Sequence, residues 1–429
     1  MLYVLSLKTA RSIRRKIMTH HFNRRKVIQR IAGLGTAIVF SLNLNLAFGQ
    51  TGGGAIKVGM TGSLTGPYSE YGEAVKNALD LAIEQWNARG GINGRKIELT
   101  TVLDDQLIPD RAAQNMRRLL DDKSLDVIMG PGGSGPSLAV ADMVAADGRI
   151  FINPFSQNPT PTYPNGLDKP PRANMFQFGI LSNVEAEFLG NYLGKTYKKI
   201  GLAHESTGYG VAGKDTLLNI ISKKYPDRKF EIESYAQRST DVTPQLLRLQ
   251  RAEVDAIVIV GLGADLVNIR RTMRRIGMQQ PLIASAGGVS VAYMEGAGDA
   301  AAGTIAPLVG ALVESNPRPE VTAFVNSYKA KYGPDRQWGP DKNRPFAGMS
   351  LIVIPPYDGA NIVFEGIRRA NSTEPAKVTA AIESMKGIAG VNTVYSFSRQ
   401  RHHGINAENL TMLQAVKRGD KVVWEVLKN

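Results

Sequence analysis

Asp126-Val-Ile-Met-Gly-Pro-Gly-Gly-Ser-Gly-Pro-Ser137 is the stretch on which the fold turns. A short apolar run enters a glycine-rich corner and leaves it directly into Leu138 to Ala146, whose apolar residues have helical spacing. That pattern predicts a strand, a tight turn and the N-terminus of a helix. The N–H groups at such a terminus have no intrahelical partner and carry partial positive charge, so the corner suits an anionic or acceptor-rich guest. Ser134 adds a hydroxyl that can donate and accept. The rest of the chain must decide whether this corner only holds a ligand or also transforms one.

Working outward, the same alternation recurs on both sides. Upstream, Ile56 to Met60 and Lys96 to Leu103 read as strands, with helices at Ala74 to Asn87 and Asp110 to Asp121; downstream, Ile150 to Asn153 closes the series. Pro159 to Asn174 is rich in turn residues and reads as a surface loop. A second series then begins with a helix from Glu185. Strands follow at Ile200 to Ala203, Lys229 to Ser234, Asp255 to Val260 and Pro281 to Ala284, with helices between them. Strands alternating with helices of this length predict right-handed βαβ units, so the fold class is α/β with two doubly wound parallel-sheet lobes. The third block, from Gly303 on, has helices at Val321 to Lys331, Asn361 to Ala370 and Ala376 to Lys386 and a terminal hairpin. Its strands are too few for a sheet of its own, so it is expected to complete the two lobes.

Charge sets limits on function. Nine of the 52 basic residues fall within residues 1–49, which hold no Asp or Glu, and the remainder is nearly balanced against 38 acidic residues. The basic excess is therefore a property of the leader, and no nucleic-acid partner is expected. The leader has a basic stretch through Arg30, the apolar run Ile31 to Leu42 and small residues near Ala47-Phe-Gly49. These are the parts of a cleavable export signal over residues 1–49, with Met18 as a second possible start. Asn23-Arg-Arg-Lys-Val-Ile-Gln29 fits a twin-arginine signal, and the Sec route fits equally well. With no cysteine in the chain, disulfides, thiolate metal sites and a lipidated N-terminal cysteine are excluded, and a free periplasmic product is expected.

Enzymatic patterns fail one by one. Gly130-Pro-Gly-Gly-Ser-Gly135 matches a dinucleotide-binding glycine pattern formally, but it follows the third strand of its lobe and lacks the acidic residue that would take a ribose. A nucleophile elbow needs glycine where Pro136 stands. His402-His403 reads as a solvated turn, and no metal site or cofactor is expected. An internal echo points to binding instead. Tyr71-Gly72 and Tyr209-Gly210 each follow the first strand of a lobe and precede a helix, which places both tyrosines beyond the carboxyl ends of strands, where open α/β sheets bind ligands.

Ile56-Lys-Val-Gly59 with Thr65-Gly-Pro-Tyr-Ser-Glu-Tyr-Gly72, Trp86-Asn-Ala-Arg-Gly-Gly-Ile-Asn-Gly-Arg95, Asp104-Asp105, the Gly130 to Ser134 corner and Tyr328-Lys-Ala-Lys-Tyr-Gly333 together resemble the leucine/isoleucine/valine-binding protein family. The resemblance implies a type I periplasmic-binding fold, with the two lobes joined by a three-segment hinge near Gly179, near Leu308 and within Gln400 to Asn409. Lobe 1 would then take residues 55–180 and 310–407, and lobe 2 residues 181–309 and 408–429. It further implies a monomer that is no enzyme, presenting a small molecule to an ABC permease and ATPase complex in the inner membrane.

Carried over by motif, Ser134 and the adjoining N–H of Gly135 take a ligand carboxylate, and Tyr71 and Tyr209 line the cleft walls. Where the family has a threonine in a Ser-Pro-x-Ala-Thr-Asn-Pro loop, this chain has Phe155, Ser156 and Gln157. Leu262 stands at a usual tyrosine, and Ala286 at the carboxylate that pairs with an amino acid's ammonium. These departures favour an aromatic or short organic acid over an amino acid. Branched-chain amino acids, with Asp265 substituting for the missing carboxylate, a urea or aliphatic amide, and a periplasmic sensor module with the same fold remain the alternatives.

Overall fold

A computed structural model describes residues 53–428. The expected export signal at 1–49 lies outside the described residues. Five parallel strands, β1 (Ile56–Gly62), β2 (Ile97–Asp104), β3 (Val127–Met129), β4 (Ile150–Asn153) and β5 (Met175–Gln177), form the first sheet in the order β2-β1-β3-β4-β5. Between them run α1 (Ser69–Ala88), α2 (Pro109–Asp121) and α3 (Ser134–Asp147). β1, β3 and β4 are almost wholly buried apolar runs, as strands covered on both faces must be.

The second half repeats the scheme. Helices α4 (Ser182–Thr196), α5 (Gly208–Lys224), α6 (Thr243–Arg251), α7 (Gly263–Arg275) and α8 (Val291–Ala297) alternate with β6 (Lys199–Glu205), β7 (Lys229–Tyr235), β8 (Ala256–Val260), β9 (Leu282–Ala284) and β10 (Ile305–Val309). The parallel part runs β7-β6-β8-β9-β10, the same second-first-third-fourth-fifth order as the first sheet. In such an order the chain reverses direction of winding between the first and third strands, and ligands bind in the crevice at that point. The two reversal points, β1/β3 and β6/β8, therefore mark where a site should be.

The third block adds helices beside the first sheet and a hairpin to the second. α9 (Pro319–Tyr332), α10 (Ile354–Ala370) and α11 (Pro375–Glu383) add to the first lobe; Trp86 of α1 donates to Asn361 of α10 at 2.9 Å. The hairpin β13 (Leu410–Arg418) and β14 (Lys421–Val426) extends the second sheet antiparallel from β10, while the short β11 (Ile388–Ala389) and β12 (Val394–Tyr395) pair with each other. α10 begins earlier than the spacing predicts because Pro355 and Pro356 sit in its first turn, where a missing N–H costs nothing.

The chain passes from the first sheet to the second after β5, returns after β10, and crosses again ahead of β13. His402 and His403 lie on this last crossing, and the solvated turn expected there is overturned. His402 is fully buried, stacked on Phe176 at 4.2 Å, with Nδ1 3.0 Å from the Met175 carbonyl and Nε2 3.2 Å from Glu383 Oε1. His403 Nδ1 meets Tyr163 Oη at 2.7 Å, and burial lowers its pKa to about 4. The third crossing packs against β5, which buries His402 and half-buries His403. Tyr163 itself is buried although it belongs to the expected surface loop.

Candidate ligand-binding cleft

The Tyr-Gly echo has a common geometric cause. A Cβ at Gly72 would lie 2.2 Å from the Ser63 carbonyl oxygen, and one at Gly210 would lie 2.0 Å from that of Glu205. In both lobes the first turn of a helix is pressed against the chain leaving the first strand, and only glycine fits. The residue before each glycine is thereby fixed, and both Tyr71 and Tyr209 face one cavity. They meet at Gly287, in the short turn after β9. Tyr71 Oη donates to its carbonyl at 3.1 Å, and its N–H donates to Tyr209 Oη at 3.3 Å. Tyr209 Oη in turn donates to Ser285 Oγ at 2.8 Å.

The space between the cavity's lining atoms, open solvent at the mouth included, is about 550 Å3. Tyr71, Ser134, Gly135, Phe155, Gln157, Tyr209 and Leu262, all singled out in the sequence, line it. Ser134 opens α3, with Gly133 as its N-cap, and Pro136 has no N–H to offer. The N–H groups of Ser134 and Gly135 thus stand at the positive end of the helix, beside the cavity. Ser134 Oγ accepts from the N–H groups of Gln157 and Asn158, both at 3.2 Å, and from Ser156 Oγ at 3.3 Å. Surrounded by donors, this hydroxyl has its own proton left to give. Gln157 is nearly buried, yet its side-chain amide hydrogen-bonds to no protein group among the described residues.

Two of the expected positions are placed differently. Ser156 is behind the wall, bonded to Ser134 and near the Asn158 carbonyl. Ala286 is fully buried and points its N–H at Glu185 Oε1, 2.7 Å away, leaving the adjacent Gly287 to face the cavity. Asp265 does not line the cavity either. Its Oδ1 takes the Tyr68 hydroxyl at 2.9 Å and the Arg238 N–H at 3.1 Å. Thr207, Gln237, Leu107, Pro109 and Leu351 line the cavity without having been anticipated. Thr207 and Gln237 each follow a strand end, which the strand-end rule could have flagged; Leu351 comes from the third block and has no local signal.

Among the described residues, the lining contains no charged side chain. The cleft is also shut, and one turn of chain does most of the closing. Tyr68 reaches Asp265, Glu70 Oε2 accepts from the Ala292 N–H at 3.0 Å, and Tyr71 reaches Gly287. Arg238 crosses in the other direction, donating to the Gln106 carbonyl and lying over the Tyr68 ring at 5.3 Å. Asn158 Nδ2 donates to the Gly208 carbonyl at 3.2 Å.

A family model described as periplasmic binding protein matches residues 55–420. The chain belongs to the periplasmic binding protein family. A solved member of that family, the type 1 periplasmic binding protein of Bordetella pertussis, is similar to 87% of this chain and all of its own, at 50% identity and a TM-score of 0.84. The leucine-, isoleucine-, valine-, threonine- and alanine-binding protein of Pseudomonas aeruginosa is 23% identical over 77% of this chain and 82% of its own. The LivJ substrate-binding protein of Streptococcus pneumoniae, solved with isoleucine, shares the fold at a TM-score of 0.72 and 21% identity, covering 87% of this chain and all of its own.

Proposed function

We propose that the protein is the periplasmic substrate-binding component of an ABC importer and that its guest is a small carboxylate without an α-ammonium, such as an aromatic or short organic acid. The observation that carries the reading is a closed cavity with a helix N-terminus at one end and no charged side chain in its lining. A carboxylate there receives the N–H groups of Ser134 and Gly135 and the Ser134 hydroxyl, with the helix dipole behind them. Phe155, Tyr71, Leu107, Leu262 and Leu351 offer rings and aliphatic surface to the remainder. An ammonium enclosed without a counter-charge would cost about 3 kcal/mol or more, over a hundredfold in affinity.

Export through the leader, release as a free monomer and delivery to an inner-membrane permease and ATPase belong to the same proposal. The ligand drives closure only by binding the closed form better than the open one. Calorimetric titration with leucine and with benzoate and cinnamate tests the assignment. Binding of an acid with weak or no binding of leucine is expected; tight leucine binding alone overturns it. The second reading, branched-chain amino-acid capture, is favoured by the names of the Pseudomonas and Streptococcus relatives and makes the opposite forecast.

A further inference from the structure

Behind the wall of the cleft lies a second, smaller chamber, with room for the centre of one water-sized group. Gln157 and Tyr209 line both spaces, so a single layer of side chain divides them. The chamber's walls are apolar on one side, with Leu189, Leu217 and Val260, and polar on the other, with Ser182, Glu185 and Ser285.

The polar side is built but unsatisfied. Glu185 is 6% exposed; its Oε1 accepts from the Ala286 N–H at 2.7 Å, and its Oε2 has no hydrogen bond to protein among the described residues. Ser182 Oγ is buried without a partner. An unmet buried polar group costs about 1–3 kcal/mol, so the unpartnered Ser182 Oγ beside the free Glu185 Oε2 calls for an occupant that hydrogen-bonds. No cation stands among the residues lining the chamber, and burial pushes the Glu185 carboxyl up to about 7.

The two dividing side chains differ in freedom. Tyr209 is pinned, donating to Ser285 and accepting from Gly287. The Gln157 side chain has no such tie, so it is the one that can turn aside. From the N-terminus of α3, a ligand passing Gln157 would bring its far end to Glu185.

We propose that this inner chamber is a subsite for a hydrogen-bond-donating substituent on the ligand, with Glu185 as the acceptor that sets specificity. The proposal rests on the carboxylate reading above and narrows it to acids carrying a distal hydroxyl or N–H. Ser182, which can accept as well as donate, supplies the second contact.

Isothermal titration of the exported chain with matched pairs, benzoate against 4-hydroxybenzoate and cinnamate against 4-hydroxycinnamate, tests it. In at least one pair the hydroxylated acid is expected to bind tenfold or more tightly. Glu185→Leu should abolish that preference while leaving the plain acid within about threefold. Ser182→Ala, too small a change to disturb the fold, should weaken only the hydroxylated acid, severalfold. If the acids bind but the hydroxyl brings no gain, or if both variants weaken the two members of a pair equally, the subsite is refuted and the carboxylate reading stands. If no acid binds, both fail together.

Discussion

Replacing Tyr68 by Phe removes one hydroxyl and nothing else, and the geometry fixes what should follow. Tyr68 follows the first strand of the first sheet and Asp265 follows β8 of the second, so their hydrogen bond ties the two together across the cleft. The hydroxyl donates to Asp265 Oδ1 at 2.9 Å, and Asp265 Oδ2 is already buried without a partner. Without the tyrosine, the carboxyl group keeps a single donor, the Arg238 N–H at 3.1 Å. Burial raises the Asp265 pKa in the closed form, so the group is held in an environment that disfavours its charge and needs each donor it has. A hydrogen bond to a charged group contributes about 1.5–3 kcal/mol, and in the open form both partners regain water. The closed-to-open ratio should therefore fall about 10- to 100-fold, and apparent ligand affinity should fall with it, because only the closed form encloses the guest. The ring still packs beneath Arg238 and beside Tyr71, so the fold is preserved. At a fixed acid concentration near the parent's Kd, small-angle scattering should show a larger radius of gyration for Tyr68→Phe than for the parent, and calorimetry a weaker acid. An unchanged radius together with affinity within twofold would refute the reasoning.

Two further outcomes follow from residues around the cavity. Gly287→Ala places a Cβ about 2.5 Å from Tyr209 Oη, so the tyrosine wall of the cavity must shift; calorimetry should show at least tenfold weaker acid binding, with a melting temperature little changed. Glu185 links stability to pH. Its carboxyl titrates near 7 when folded against an ordinary 4.5, so below pH 4.5 the protonated group is tolerated in both states, and between 4.5 and 7 the folded protein retains a proton that the unfolded chain releases. Stability therefore falls as pH rises through that window, by roughly 3 kcal/mol from this one group. Glu185→Gln does not titrate, so its unfolding free energy should gain on the parent's between pH 4.5 and 7.5 in urea melts; parallel pH profiles would contradict the assignment.

Both sheets were legible because strands buried on two faces announce themselves as unbroken apolar runs, and because turn residues separate them from helices. The cleft was legible in part for the same reason. Tyr71, Ser134, Tyr209 and Leu262 sit just past strand ends, and a strand end can be found from local pattern. Glu185 could not be found that way. An acid on an amphipathic helix reads as a solvated face, and only the packing of α4 under Tyr209 and Ser285 buries it. Ala286 shows the limit from the other side: its register was one residue from the cavity, which falls to Gly287. His402 and Leu351 depend on chain crossings that bring distant segments together, and neither carries a mark of its destination.

The turn bearing Tyr68, Glu70 and Tyr71 has an evolutionary consequence. Tyr68 and Glu70 tie the two sides of the cleft together without lining the cavity, whereas the side chains of Phe155, Gln157, Leu262 and Glu185 shape the interior and make no hydrogen bond across it among the described residues. Selection can rewrite the second group while the first stays fixed. A lineage built this way can take new ligands by exchanging a handful of interior residues, because the contacts that close the cleft are encoded elsewhere.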